Sequence, residues 1–370
     1  MRSLRTIVCA GALVGLAGFL VAQDQGPAPG PGQTVAKPKK PVDAGGQPAD
    51  SDQAPIPSEY RRNTVDTGAK ALFKSDVDMV TLDVAVIGPN GQFIPQIPPG
   101  NFRVLEDNVP QQVRKVDMAQ APLTVALVVE FSERYQQMYS GAWYQTQQLV
   151  WTFANSLKPE DYCAVIIYSM KPEILTDFTA DKSKIQEALR QLMIPTWHET
   201  NMFDAVVDTA ERMQTIEGRK AIVLITTGID TLSHLTFDKA RKRLQEAGVP
   251  IYSISLLGLQ LELMASPPIQ FLQAQNELNT FAKETGGRAF TPKFQGEYPG
   301  VFGDLRQALG TQYVITYSPS NRAHDGTFRK IKVEVVDPEG HPLPIKDQKG
   351  KPIKYSILTK SGYKAPHEVE

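Results

Sequence analysis

The chain has 370 residues, with 39 Lys and Arg against 40 Asp and Glu, and no long block of either sign. That balance excludes the basic footprint of a nucleic-acid binder. Its length beyond the low-complexity amino-terminal stretch suits one large core or two moderate ones.

Arg2 and Arg5 precede an apolar run from Ile7 to Ala22, after which the sequence turns polar and Pro-rich. This is the pattern of a secretory signal peptide, with cleavage expected after Ala22. The run is shorter than the roughly 20 residues of a spanning helix and contains Gly11, Gly15 and Gly18. Retention as a short anchor is the alternative. The mature protein is therefore expected to be exported, periplasmic or extracellular, with no membrane span. Cys9 lacks the neighbours of a lipoprotein cleavage box, and cleavage leaves Cys163 alone in the run Cys163–Tyr168. A buried unpaired thiol is expected there, without a disulfide framework. Residues 23–75, rich in Pro, Gly, Ala, Gln and Asp, read as a flexible tether, and the basic run Lys37–Pro41 as part of it.

Residues 76–119 form a small β segment. Val80, Leu82, Val84 and Val86 alternate with smaller or polar residues, Pro89-Asn90-Gly91 turns the chain, and short strands follow at Phe102–Leu105 and Val113–Met118. Residues 120–310 change character. The apolar run Leu123–Glu130 predicts a strand buried on both faces, and Tyr139, Ala142, Thr146, Leu149, Phe153 and Leu157 then recur at helical spacing. Further strands are expected at Tyr162–Tyr168, Ala221–Thr227, Ile251–Leu256 and Arg288–Phe290, with an edge partner at Ile174–Phe178. Helices are expected at Asp181–Leu192, Met202–Met213 and Phe237–Ala247, and through Phe271, Ala274, Leu278 and Phe281. Gly248 and Gly286-Gly287 read as helix stops. This rhythm gives an α/β, mostly parallel sheet with helices on both faces. Residues 311–363 return to β alternation at Tyr313, Ile315 and Tyr317 and at Ile331, Val333 and Val335, before a tail at 364–370. Neither flank is large enough for its own core. One small sandwich built from both, with the α/β domain inserted, is the expected layout; two separate β appendages are the alternative.

Several patterns recur in order: Asn101-Phe102-Arg-Val104-Leu-Glu106-Asp107 with Pro110-Gln111, Thr200 followed by Phe203-Asp204-Ala205, and Gly228-Ile-Asp230-Thr231. Tyr313-Val-Ile-Thr-Tyr317-Ser-Pro319, Gly326-Thr-Phe328-Arg329-Lys330-Ile331 and Lys360-Ser-Gly362-Tyr363 complete them. From about Val80 to Tyr363 the chain resembles the bacterial VWFA-related family, common in Acidobacteria, of exported proteins with a Rossmann-like von Willebrand factor A domain between β segments. The resemblance implies a metal-ion-dependent adhesion site of Asp-x-Ser-x-Ser, a Thr and a later Asp, holding Mg²⁺ through hard oxygen ligands. The corresponding residues are Glu130, Ser132, Arg134, Thr200 and Thr227, of which Glu130, Arg134 and Thr227 depart from the pattern.

Glu130 adds a methylene and Thr227 loses a carboxylate. A guanidinium about 5 Å from a divalent ion is repelled by roughly 7 kcal/mol at an effective dielectric near 20. Magnesium on Glu130, Ser132 and Thr200 is therefore disfavoured. The expected arrangement pairs Arg134 with Glu130 and sets a fixed positive group in the cation's place, facing an acidic partner group; a decayed loop is the alternative. His198-Glu199 begins like a zinc-protease motif, but Met202 stands where the second His belongs. Ser132, His198 and Asp204 are triad residue types without a nucleophile elbow. Phe131, Tyr135, Trp143 and Trp197 are candidate apical aromatics, and Trp197 between Pro195-Thr196 and His198-Glu199 is the best contact residue among them. The expected function is a non-enzymatic binding or adhesion module, with Glu130, Ser132, Arg134, Trp197, Thr200 and Thr227 at its protein- or envelope-binding face. A hydrolase on the same loops and a structural assembly protein are the alternatives.

Overall fold

In the computed structural model the described residues are 79–367, except position 90 and the stretches 120–121, 134–141, 192–196 and 347–349. The signal segment and tether expected from the sequence lie outside them. Period-two alternation builds β1 (Val80–Ile87), β2 (Phe102–Glu106) and β3 (Val109–Met118). The middle supplies β4 (Leu123–Glu130), β5 (Tyr162–Tyr168), β6 (Pro172–Thr179), β7 (Arg219–Thr226), β8 (Ile251–Ser255) and β9 (Ala289–Phe290). The last strands are β10 (Tyr313–Ser318), β11 (Phe328–Val335), β12 (Ser356–Leu358) and β13 (Gly362–Lys364).

The middle strands form one sheet in the order β6-β5-β4-β7-β8-β9. All its pairings are parallel except that of the edge strand β6 with β5. Strand alternation splits the apolar runs between two faces. Val125, Leu127, Val129, Val165 and Val223 pack with α1 (Ala142–Ser156), α2 (Lys182–Gln191) and α7 (Tyr298–Gly310). Ala126, Val128, Ile166, Ile222 and Leu224 pack with α3 (Met202–Gln214), α4 (Phe237–Ala247) and α6 (Ile269–Thr285). Gly248 and Gly286 close α4 and α6 in the left-handed conformation at φ 63° and 88°. Two helices go beyond the sequence expectation, α7 and the short α5 (Gly258–Leu263). β7 ends at Thr226, so Thr227 is the first residue past the strand.

Both chain ends contribute to a second, antiparallel sheet of seven strands, ordered β12-β1-β10-β3-β2-β11-β13. β3 is its corner: Val109–Gln111 pair with β2, and Gln112–Met118 pair with β10. The two halves enclose one core in which Leu82 and Val84 meet Phe102, Val104, Ile315 and Val333. The rings of Phe102 and Tyr313 lie 4.8 Å apart across it. The segment 359–361 straps this sheet to the α/β domain, because Ser361 N donates to Glu284 O at 2.9 Å and Ile331 N donates to Ser361 O at 2.8 Å. Cys163 is buried and free, and burial pushes its thiol up to about 12. No described helix is long and apolar enough to cross a membrane.

Candidate functional site

Parallel pairing puts Glu130 at the carboxyl end of β4, between the ends of its two neighbours. Tyr168 of β5 stands opposite it, and Thr226 of β7 follows Ile225, the partner of Val129. Ligand sites of open α/β sheets lie at this end. Glu130 is 3% exposed, so its carboxylate must find donors inside the protein.

Four donors reach it. Oε2 accepts from Thr227 N at 2.7 Å, Thr227 Oγ1 at 2.8 Å and Thr226 Oγ1 at 2.9 Å, while Oε1 accepts from Ser132 Oγ at 2.6 Å. Thr226 has a single hydroxyl proton, given to Glu130, so Tyr168 Oη must donate across their 2.6 Å contact. Gly228 N donates to the same Thr226 oxygen at 2.8 Å, and Ile229 N to Thr227 Oγ1 at 3.2 Å. Burial, then the neighbouring Glu130 charge, holds the Tyr168 phenol well above its ordinary value, which keeps it a donor. The added methylene of glutamate is what lets one carboxylate reach both threonines of the β7 end.

The third expected oxygen faces elsewhere. Thr200 Oγ1 donates to Ile229 O at 2.5 Å, and Thr200 O accepts from Thr231 N and Leu232 N at 2.9 Å each. Around it, α3 and the loop that leads into α4 are tied by reciprocal carboxylates. Asp230 accepts from Phe203 N at 3.0 Å and Ser233 Oγ at 2.5 Å, while Asp204 accepts from His234 N at 2.9 Å and Leu235 N at 3.1 Å. Burial raises the Asp230 carboxyl against these bonds. Burial, with Asp230 nearby, pushes Glu277 of α6 up to about 7.

The sequence placed six residues on a contact surface, and burial alters that picture. Glu130, Ser132, Thr200 and Thr227 are at most 4% exposed, so their side chains offer a partner almost no area. Trp197 is 57% exposed. Its carbonyl accepts from Glu133 N at 2.7 Å, and His198 Nε2 lies 3.0 Å from Glu133 Oε2, which ties the 197–198 segment to the β4 loop. Arg134, its expected pairing with Glu130, Tyr135 and the side chain of Trp143 lie outside the described residues. Phe131 is partly buried against the α1-side core. Ser132, His198 and Asp204 are bound to three different partners, Glu130, Glu133 and His234, and do not meet as a triad. Met202, in the position that spoiled the zinc motif, is a fully buried core residue. Thr226 and Tyr168 were missed by sequence reasoning; the only signal was that both end apolar strands flanking β4.

Residues 125–229 match the von Willebrand factor type A domain family. No curated protein matches the chain. Among solved structures, an aerotolerance-related membrane protein from Bacteroides fragilis shares 15% identity at TM-score 0.39, covering 50% of this chain and 98% of its own. The vWF domain of the type V pili tip protein Mfa5 from Porphyromonas gingivalis shares 15% identity at TM-score 0.39, covering 52% and 96%. Proximal thread matrix protein 1 from the mussel byssus shares 13% identity at TM-score 0.42, covering 55% and 51%. The likeness to a family thus rests on residues 125–229, the heart of the central α/β domain, which are similar to the von Willebrand factor type A domain.

Proposed function

We propose that the protein is an exported, non-enzymatic binding or adhesion module whose von Willebrand factor A domain, inserted in a small β-sandwich, presents its apical end to a protein or cell-envelope partner without magnesium. The observation that carries the metal-free reading is the occupancy of Glu130, whose two oxygens already accept four protein donors. Magnesium wants oxygen lone pairs converging in near-octahedral geometry. Here the Glu130 oxygens already accept four protein donors, Thr227 Oγ1 accepts from Ile229 N at 3.2 Å, Thr200 Oγ1 is bonded to the Ile229 carbonyl and not to Glu130, and no second carboxylate joins the cluster among the described residues. An aspartate at position 227 would put a second carboxylate against Glu130 and repel it in the absence of a cation, whereas threonine holds it through two donors. The donor set does not fit the ion.

In this reading the buried polar residues fix the loops, and the contact falls to the exposed surface around them. Trp197 supports that division, because a large exposed aromatic held by its backbone supplies contact area at low entropic cost. Arg134, two residues after Ser132 in the sequence, is the proposed positive group for an acidic partner. Capture of a partner from envelope extracts tests the reading: binding should persist in EDTA, weaken with salt, and be lost in Trp197→Ala and Arg134→Ser. Capture that requires a divalent ion, or that survives both substitutions, would remove the apical metal-free face from the account.

A further inference from the structure

At the other end of β7, eight residues and roughly 23 Å from the Glu130 cluster, a cleft of about 780 Å³ lies between the foot of the α/β domain and the seven-stranded sheet. β1 brings Asp83 to it, β7 begins there with Arg219 and Lys220, and the 359–361 strap brings Lys360. The charges around them are matched. Asp117 pairs with Lys115 at 2.7 Å, Lys364 with Glu246 at 3.4 Å, and Lys220 Nζ donates to Gln214 O and Ile216 O at 2.8 Å each. Glu217 is exposed at the mouth.

Asp83 and Lys360 differ from these neighbours. Both are largely withdrawn from solvent, yet among the described residues neither side chain makes a hydrogen bond or an ion pair. Burial raises the Asp83 carboxyl even against the pull of Lys360, Arg219 and Lys220, and burial lowers the Lys360 ammonium. Withdrawn polar groups are ordinarily paired, so an acceptor and a donor left open in one cleft call for a ligand offering both. The cleft also has the size of a small-molecule site.

Three cations, Lys360, Arg219 and Lys220, beside one carboxylate specify the ligand. That positive charge, with Lys360 as the donor, favours an oxyanion, and Asp83 would expel one unless that oxyanion carries a proton for Asp83 to accept. We propose that this cleft binds a protonated phosphate, either as the free ion or as the terminal group of a larger monoester. At pH 6 inorganic phosphate carries at least one P–OH, and a phosphate monoester keeps one in about half of its molecules, because its second ionisation falls near that pH. Sulfate, of the same shape and charge class, has none.

Thermal melts of the full chain at pH 6 and matched ionic strength, with 20 mM-scale ligand chosen to exceed a millimolar dissociation constant about tenfold, test this directly. Inorganic phosphate, glycerol phosphate and sulfate are the three probes. A rise of several degrees with phosphate alone assigns the free ion, and a rise with glycerol phosphate as well assigns a terminal group. No rise with either, or an equal rise with sulfate, overturns the proposal. Lys360→Met should abolish the phosphate shift, and Asp83→Asn, whose amide donates, should admit sulfate. A phosphate shift undiminished in Lys360→Met, or a sulfate response unchanged in Asp83→Asn, also counts against the site. Should either variant fail to fold, the phosphate and sulfate melts of the unmodified protein decide alone.

Discussion

Replacing Thr227 by Val keeps the shape of a fully buried side chain and removes one oxygen. The backbone N–H of residue 227 still reaches Glu130, but the 2.8 Å hydroxyl bond is lost and Ile229 N loses its 3.2 Å acceptor. A hydrogen bond to a charged group contributes about 1.5–3 kcal/mol and an ordinary one about 1 kcal/mol, so Thr227→Val should cost about 2–4 kcal/mol. For a domain of this size that is a fall of roughly 5–15 °C in melting temperature. Urea unfolding measures it directly, and Glu130→Gln gives the control. Because the two residues touch, the pair should be non-additive by at least about 0.5 kcal/mol in a double-mutant cycle. A Thr227→Val cost under about 0.5 kcal/mol with additive behaviour would refute the view that Thr227 holds Glu130, and would leave a loop that has merely lost its ligands.

Two further outcomes follow from packing and burial. Gly286→Ala places a Cβ 2.5 Å from Lys360 N and from Thr359 C at φ 88°, so backbone must move, and hydrogen exchange at 359–361 should speed up more than in the core of β4. Unchanged protection of the strap would show that the two sheets are not coupled through it. Burial pushes the Glu277 carboxyl up to about 7, above the 4.5 of an exposed glutamate, so its protonated form favours the fold: that stability is complete below about pH 4.5 and is lost as pH rises through 7. Glu277→Gln should therefore stabilise at pH 8, by on the order of 1 kcal/mol once solvent screening of a half-buried group is allowed for, and by nothing near pH 4. Equal effects at both pH values would contradict the burial of that carboxyl.

Much of the architecture was legible because burial leaves a periodic trace. The continuous run Leu123–Glu130 marks a strand covered on both faces, and the alternation of Leu82, Val84 and Val86 marks a strand with one face inward. α7 escaped since Pro299, Gly300, Gly303 and Gly310 dilute a helical pattern carried only by Phe302, Leu305 and Leu309, and the six residues of α5 are too few for a period to register. At the site, the residue types announced that Glu130 and Thr227 depart from the adhesion pattern. What replaces it depends on where a longer carboxylate lands, on Thr226 and on the Tyr168 phenol, and no spacing rule encodes those rotamers.

The proposal of a metal-free apical centre is tested most directly by differential scanning calorimetry of the full chain in 5 mM-scale magnesium chloride, against sodium chloride of equal ionic strength, before and after EDTA. A ligand bound only by the folded state raises its stability by RT ln(1 + [L]/Kd), about 2.7 kcal/mol at one hundred times Kd. With Glu130 already satisfied by four protein donors, the two salts should give the same melting temperature and EDTA should change nothing. An EDTA-reversible rise of several degrees in magnesium alone would contradict the account.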